Sequence, residues 1–155
     1  MTISTKRPLF AAGLLGLASI ALAQPPSPQD KPAESRTLKV KIDYTGAGTV
    51  DEKHKIFVFV FDSPAFMQGQ AMPIGGGMTT AKDGTVTVSN LSVSPVFAVA
   101  AFDPTGKYDG MSGPPPSGSA IGMYSKTPGT PEPAKIEPGK TAEIVIAFDD
   151  SFKMP

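Results

Sequence analysis

The chain has 155 residues, 14 basic and 14 acidic, with one histidine and neither cysteine nor tryptophan. The missing cysteines exclude disulfides, a lipid-modified N-terminal cysteine and thiolate metal sites, and the balanced charge lacks the basic stripe that nucleic-acid phosphates require.

A polar head ending in Lys6 and Arg7 precedes an apolar run from Leu9 to Leu22, closed by the small-residue triplet Ala21-Leu22-Ala23. This is the layout of a secretory signal peptide over residues 1–23, with cleavage expected between Ala23 and Gln24. The run is about 14 residues, short of the roughly 20 that cross a bilayer as a helix. No later stretch approaches that length, so the mature chain is expected to have no membrane span. No twin arginine is present, which predicts the general secretory route to the periplasm or the extracellular space. Without Lys6 and Arg7, 12 of the 14 basic residues remain against 14 acidic ones, a net of about −2. Roughly 130 residues remain after cleavage, which suits one domain with a core of its own.

Residues 24–35, QPPSPQDKPAES, hold four prolines among polar side chains and read as a semi-extended linker. The domain proper is expected over 36–150, with 151–155 as a C-terminal tail. Leu38, Val40, Ile42 and Tyr44 alternate with Lys39, Lys41 and Asp43, the period of a strand with one wet face. Lys55 to Phe61 (KIFVFVF) is a short continuous apolar run and predicts a central strand covered on both faces. A long irregular passage, Asp62 to Gly77, follows. Met78 to Ala81 and Thr85 to Leu91, joined by Asp83-Gly84, predict a hairpin with Val86 and Val88 inward.

Val96 to Phe102 (VFAVAAF) predicts a second core strand, and Asp103 to Pro131 a second long loop dense in glycine and proline. A brief strand at Pro133 to Glu137, a Pro138-Gly139 turn and a last strand at Thr141 to Phe148 complete the series. No segment outside the leader has helical period. About seven short strands with turns between them predict an all-β fold, a single antiparallel sandwich in preference to a barrel.

The segments IFVFVFDSPAF, DGTVTVSNL, VFAVAAFDPTGKYDG, PPPSGSAIGMY and IEPGKTAEIVIAFDD resemble a group of largely uncharacterised secreted bacterial domains with a transthyretin-like (prealbumin-like) sandwich, over roughly Leu38 to Asp150. Related sandwiches serve as carboxypeptidase accessory domains and starch-binding modules. The resemblance implies that fold; it transfers activity poorly, because starch-binding relatives stack sugars on tryptophan and this chain has none. Where some members carry acidic or amide groups in a loop, this sequence has Pro104 and Lys107.

Three apolar strands end alike, in Phe61-Asp62, Phe102-Asp103 and Phe148-Asp149-Asp150. If the strands share a direction, Asp62, Asp103 and Asp149, joined by Asp109, present oxygens at one end, as calcium requires. The competing reading is that aspartate ends strands by capping turns. Met67, Met72, Met78, Met111 and Met123 fall in or beside loops, where thioethers suit Cu(I) or plug irregular gaps. His54 is expected to be a solvated residue at a strand start. Tyr108 and Tyr124, with Met111 and Met123, are candidate ligand contacts on the long loop, where tyrosines stack on sugars or pin the loop to the sheet.

Enzymatic patterns fail in turn. The histidine has no nucleophile or acid in a recognisable pattern, and Gly75-Gly76-Gly77 lacks the lysine of a phosphate loop. The expectation is therefore an exported non-enzymatic accessory domain, without cofactor, that contacts a protein or cell-envelope component through its loops. A carbohydrate-binding module with a glycan partner is the alternative, and a calcium or copper binder the second.

Overall fold

In a computed structural model, residues 34–155 are described; the signal peptide expected at 1–23 and most of the expected linker lie outside them. Seven strands form: β1 (Arg36–Tyr44), β2 (Ile56–Phe61), β3 (Gly75–Thr79), β4 (Thr85–Leu91), β5 (Phe97–Phe102), β6 (Ala120–Met123) and β7 (Thr141–Phe148). A single 3₁₀ turn, η1 (Pro64–Gln68), stands among the described residues. The strands make two sheets, one ordered β4-β1-β7 and the other β3-β2-β5-β6.

The alternation in β1 behaves as its chemistry dictates: Leu38, Val40, Ile42 and Tyr44 are buried while Lys39, Lys41 and Asp43 stay in water. They meet Ile56, Val58 and Val60 of β2, together with Ile144 and Ile146 of β7, in one apolar cluster. Both sheets contribute to that cluster, so each covers the other's apolar face. The continuous runs of β2 and β5 occupy the two inner positions of the four-stranded sheet, buried on nearly every residue. Their other faces, with Val99, Ala101 and Ile121, form a second apolar cluster overlaid by Phe59, Phe61, Phe66, Met123 and Met154.

Several expectations are corrected. The pairing is not purely antiparallel, since β1 and β7 run parallel from Thr37–Thr141 to Tyr44–Phe148; period-two alternation carries no sense of direction. The expected hairpin does not form. Instead β3 pairs with β2, β4 pairs with β1, and Asp83-Gly84 lies where the chain passes from one sheet to the other. Strand β3 begins earlier than composition suggested, at Gly75, because the inner positions Gly75 and Gly77 let Val88 and Val86 of the opposite sheet come close. A Cβ on Gly77 would lie 2.6 Å from Val86 Cγ1. The Pro133–Glu137 strand reduces to one bridge, Val96 with Ala134.

Val86 and Val88 point inward as the alternation requires. The pattern then slips, because Asn90 adopts φ 61° and β1 residues Arg36 and Leu38 face Leu91 and Val88. The extra residue is a β-bulge, and asparagine tolerates the left-handed backbone better than a branched residue. Its consequence is that Leu91 also enters the core.

Residues 151–155, expected to be a tail, carry a bridge between Lys153 and Ala120 of β6. No helix among the described residues is long and apolar enough to cross a membrane.

Candidate functional site

The β3 and β4 sides of the two sheets are joined by the chain itself, whereas the β6 and β7 sides meet without a connecting turn. A cleft of about 600 Å³ opens there. Gly122 and Phe148 both line it and touch, since a Cβ on the glycine would lie 2.5 Å from Phe148 Cγ. Its rims carry Met67 from η1, Met123 and Lys126 around the end of β6, and Asp149 and Phe152 beyond β7. Lys126 pairs with Glu132 at 2.7 Å, so the rim cation is already partnered. The lining combines apolar side chains, among them Met67, Met123, Phe148 and Phe152, with the polar groups of Thr45, Ser125, Lys126, Asp149 and Ser151.

Of the expected contact residues, the cleft gathers Met123 alone, and adds Met67, Phe148 and Phe152. Tyr108 lies elsewhere. Its ring packs edge-on against Phe57 at 5.0 Å, and its hydroxyl donates to the Gly113 carbonyl at 2.5 Å. Burial, with the Asp109 charge adding to it, pushes the Tyr108 hydroxyl pKa above the ordinary value. Tyr124 follows β6, donates its amide to Ala98 O at 2.9 Å and rests half-buried on the main core. Phe57 pairs with Ala101 near the end of β5, whereas Ala98 is near its start. The two tyrosines thus flank opposite ends of the sheet and form no common stacking platform. Met111 is 90% exposed, clear of both.

The aspartates separate in the same way. Strands β2 and β5 are antiparallel, Phe61 facing Phe97 and Ile56 facing Phe102. Asp62 and Asp103 therefore stand at opposite ends of one sheet, which corrects the expectation of a shared end. Asp103, Asp109 and Asp149 also have local work. Asp103, 1% exposed, accepts from the Thr105 hydroxyl at 2.7 Å and the amides of Thr105, Lys107 and Tyr108 at 2.8–2.9 Å. Burial raises its pKa, but those donors outweigh burial and hold it below the usual carboxylate value.

Asp109 accepts from the Ser112 hydroxyl and from the amides of Met111 and Ser112, which bring its pKa down to about 2. Asp149 receives the Ser151 amide at 2.8 Å. Among the described residues no group of three or more histidine, aspartate or glutamate side chains is placed to hold a metal ion.

His54 is not a lone solvated residue. Its Nδ1 lies 3.0 Å from Asp51 Oδ1, which also accepts the His54 and Lys53 amides at 2.7 and 2.9 Å. The spacing Asp51-x-x-His54 is the sequence signal for such an aspartate-capped turn.

One polar contact that the sequence reading passed over organises the end of the core. Tyr44, its ring between Phe102 and Phe148 at 5.0 and 4.9 Å, donates to Asp150 Oδ1 at 2.6 Å. Asp150 Oδ2 accepts the Ala47 amide at 2.8 Å. Burial first, then the neighbouring Asp150, raises the Tyr44 pKa, while the Tyr44 hydroxyl and the Ala47 amide lower that of Asp150. Lys82 caps the group, donating to Gly46 O at 2.6 Å with its ammonium 5.2 Å from the Tyr44 ring centroid.

No protein family, no curated protein and no solved structure matches the chain.

Proposed function

We propose that this chain is an exported, non-enzymatic binding domain, built as a transthyretin-like β-sandwich. In this reading it receives an apolar segment of a partner protein or cell-envelope component in the cleft between β6 and β7. The observation that carries the reading is the lining of that cleft by Met67, Met123, Phe148 and Phe152. Methionine and phenylalanine supply apolar area, and the unbranched thioethers adapt to more than one shape. Seven strands in two sheets that share one core support the sandwich, and the leader at 1–23 supports export.

The test is a titration of the chain Gln24–Pro155 with anilinonaphthalene sulfonate, alongside Met123→Lys. Enhanced fluorescence that the substitution abolishes, with near-ultraviolet dichroism unchanged, is the expected result. Equal fluorescence from both proteins, or a melting shift caused by soluble malto-oligosaccharides, overturns it.

Met67 and Met123 sharing one cleft favours a second reading, a Cu(I) site, since soft thioethers select that ion. A rise in Tm with Cu(I) that Met67→Leu removes would support it.

A further inference from the structure

The segment after β7 turns back along the other sheet. Ile121 donates its amide to Phe152 O at 2.9 Å, Met154 donates to Ser119 O at 2.9 Å, and Gly118 donates to Met154 O at 3.0 Å. These three bonds make a short added strand on the β6 edge, which would otherwise present unpaired backbone groups. Its side chains are lightly held. Phe152 is 56% exposed, Ser151 and Lys153 face water, and only Met154 rests on the second apolar cluster.

The base of the segment is held differently. Asp150 is bound at both oxygens, by the hydroxyl of the buried Tyr44 and by the Ala47 amide. Tyr44 itself is fixed between two aromatic rings in the main core. The segment is thus weakly packed along its length and held at its base by one firm polar contact, the combination that permits local opening once that contact breaks, without loss of the core.

Ser119, whose carbonyl binds Met154, is fully buried and its hydroxyl has no protein partner.

We propose that residues Asp149–Pro155 form a strap, latched by the Tyr44–Asp150 hydrogen bond, that opens independently of the two sheets and bares the β6 edge. Because Asp149, Ser151 and Phe152 also line the cleft, opening widens its mouth. That regulatory consequence rests on the binding reading of the cleft, whereas the opening itself does not. Tyr44 acts here as a positioning residue, through Asp150.

The experiment is residue-resolved amide hydrogen exchange on the chain Gln24–Pro155. Independent opening predicts that the Gly118, Ile121 and Met154 amides exchange about 100-fold faster than the interior amides of β2 and β5. Asp150→Asn, on the exposed side of the latch, and Tyr44→Phe each remove a charge-assisted bond. Either is expected to speed the strap amides by a further factor of about ten relative to the β2 and β5 amides.

Strap amides that exchange together with the β2 and β5 amides in the unsubstituted chain overturn the proposal. So do latch substitutions that speed every amide equally. Dye binding at the cleft is a separate readout, so its failure would overturn the binding reading and leave the strap result standing.

Discussion

Gly122 and Phe148 touch across the gap between the two sheets: a Cβ built on the glycine would lie 2.5 Å from both Cβ and Cγ of the phenylalanine. Those atoms are the root of the side chain, so the ring cannot swing clear without moving β7. Gly122→Ala is therefore expected to push the sheets apart at the cleft and lower stability by about 1–3 kcal/mol. A urea melt measures the cost, and a stability equal to that of the unsubstituted chain would refute the close approach.

Asp103 is the organiser of the loop that carries Tyr108. Replacing it with alanine leaves three amides and a hydroxyl without their acceptor, and the cost is expected to be about 2–4 kcal/mol. Release of the loop should also free the Tyr108 ring from Phe57, visible as a loss of near-ultraviolet tyrosine dichroism. Asp103→Asn keeps acceptor capacity on one oxygen and should cost less. The prediction fails if both variants melt with the unsubstituted chain.

The pH dependence follows from two opposite shifts. Asp103 and Asp150 have folded pKa values below the ordinary one, so the unfolded chain binds more protons in mild acid. Their contribution is complete above the unfolded value of about 4 and is lost as pH falls through the lower folded values. Tyr44 is shifted upward. Its contribution is complete below the unfolded value of about 10 and is lost as pH rises toward the folded one. Tm measured from pH 2 to 11 should show both falls, and Tyr44→Phe should reduce the alkaline one, leaving the part that the raised Tyr108 contributes.

Calcium should leave the melt unchanged. Asp62 and Asp103 stand at opposite ends of the four-stranded sheet, and four donors already occupy Asp103. Curves in EDTA and in millimolar calcium are expected to superimpose; a rise of several degrees with calcium would contradict this.

Much of the fold was legible in residue order. The alternation from Leu38 to Tyr44 and the apolar runs at 55–61 and 96–102 became strands to within one residue of where their patterns put them, as did Thr85–Leu91 and Thr141–Phe148. What the patterns missed is equally specific. Strand β3 contains three successive glycines, which have no intrinsic preference for a strand. Strand β6 spans only Ala120–Met123, inside a stretch whose prolines and glycines read as loop. Both are strands because a neighbour supplies the hydrogen bonds and the opposite sheet needs small residues at the edge.

The candidate site was less legible still. Met123 was recognised as a contact residue, but Met67 reaches the cleft from η1, and Phe148 and Phe152 from the end of β7 and the strap, each tens of residues from Met123 in the chain. The repeated Phe-Asp ending suggested a common carboxylate site, and the antiparallel pairing of β2 with β5 separated two of its members.

The sequence by itself determined which residues enter strands and which faces are dry, because burial of alternating or continuous apolar side chains is a local demand written in the order of residues. Direction, partner choice and edge were decided only by the tertiary structure. Parallel β1–β7 pairing, the passage from β3 to β4 between sheets, the Tyr44–Asp150 contact and the cleft all join residues remote in the chain. Such contacts depend on which strands fit together once the core closes, and no local pattern carries that information.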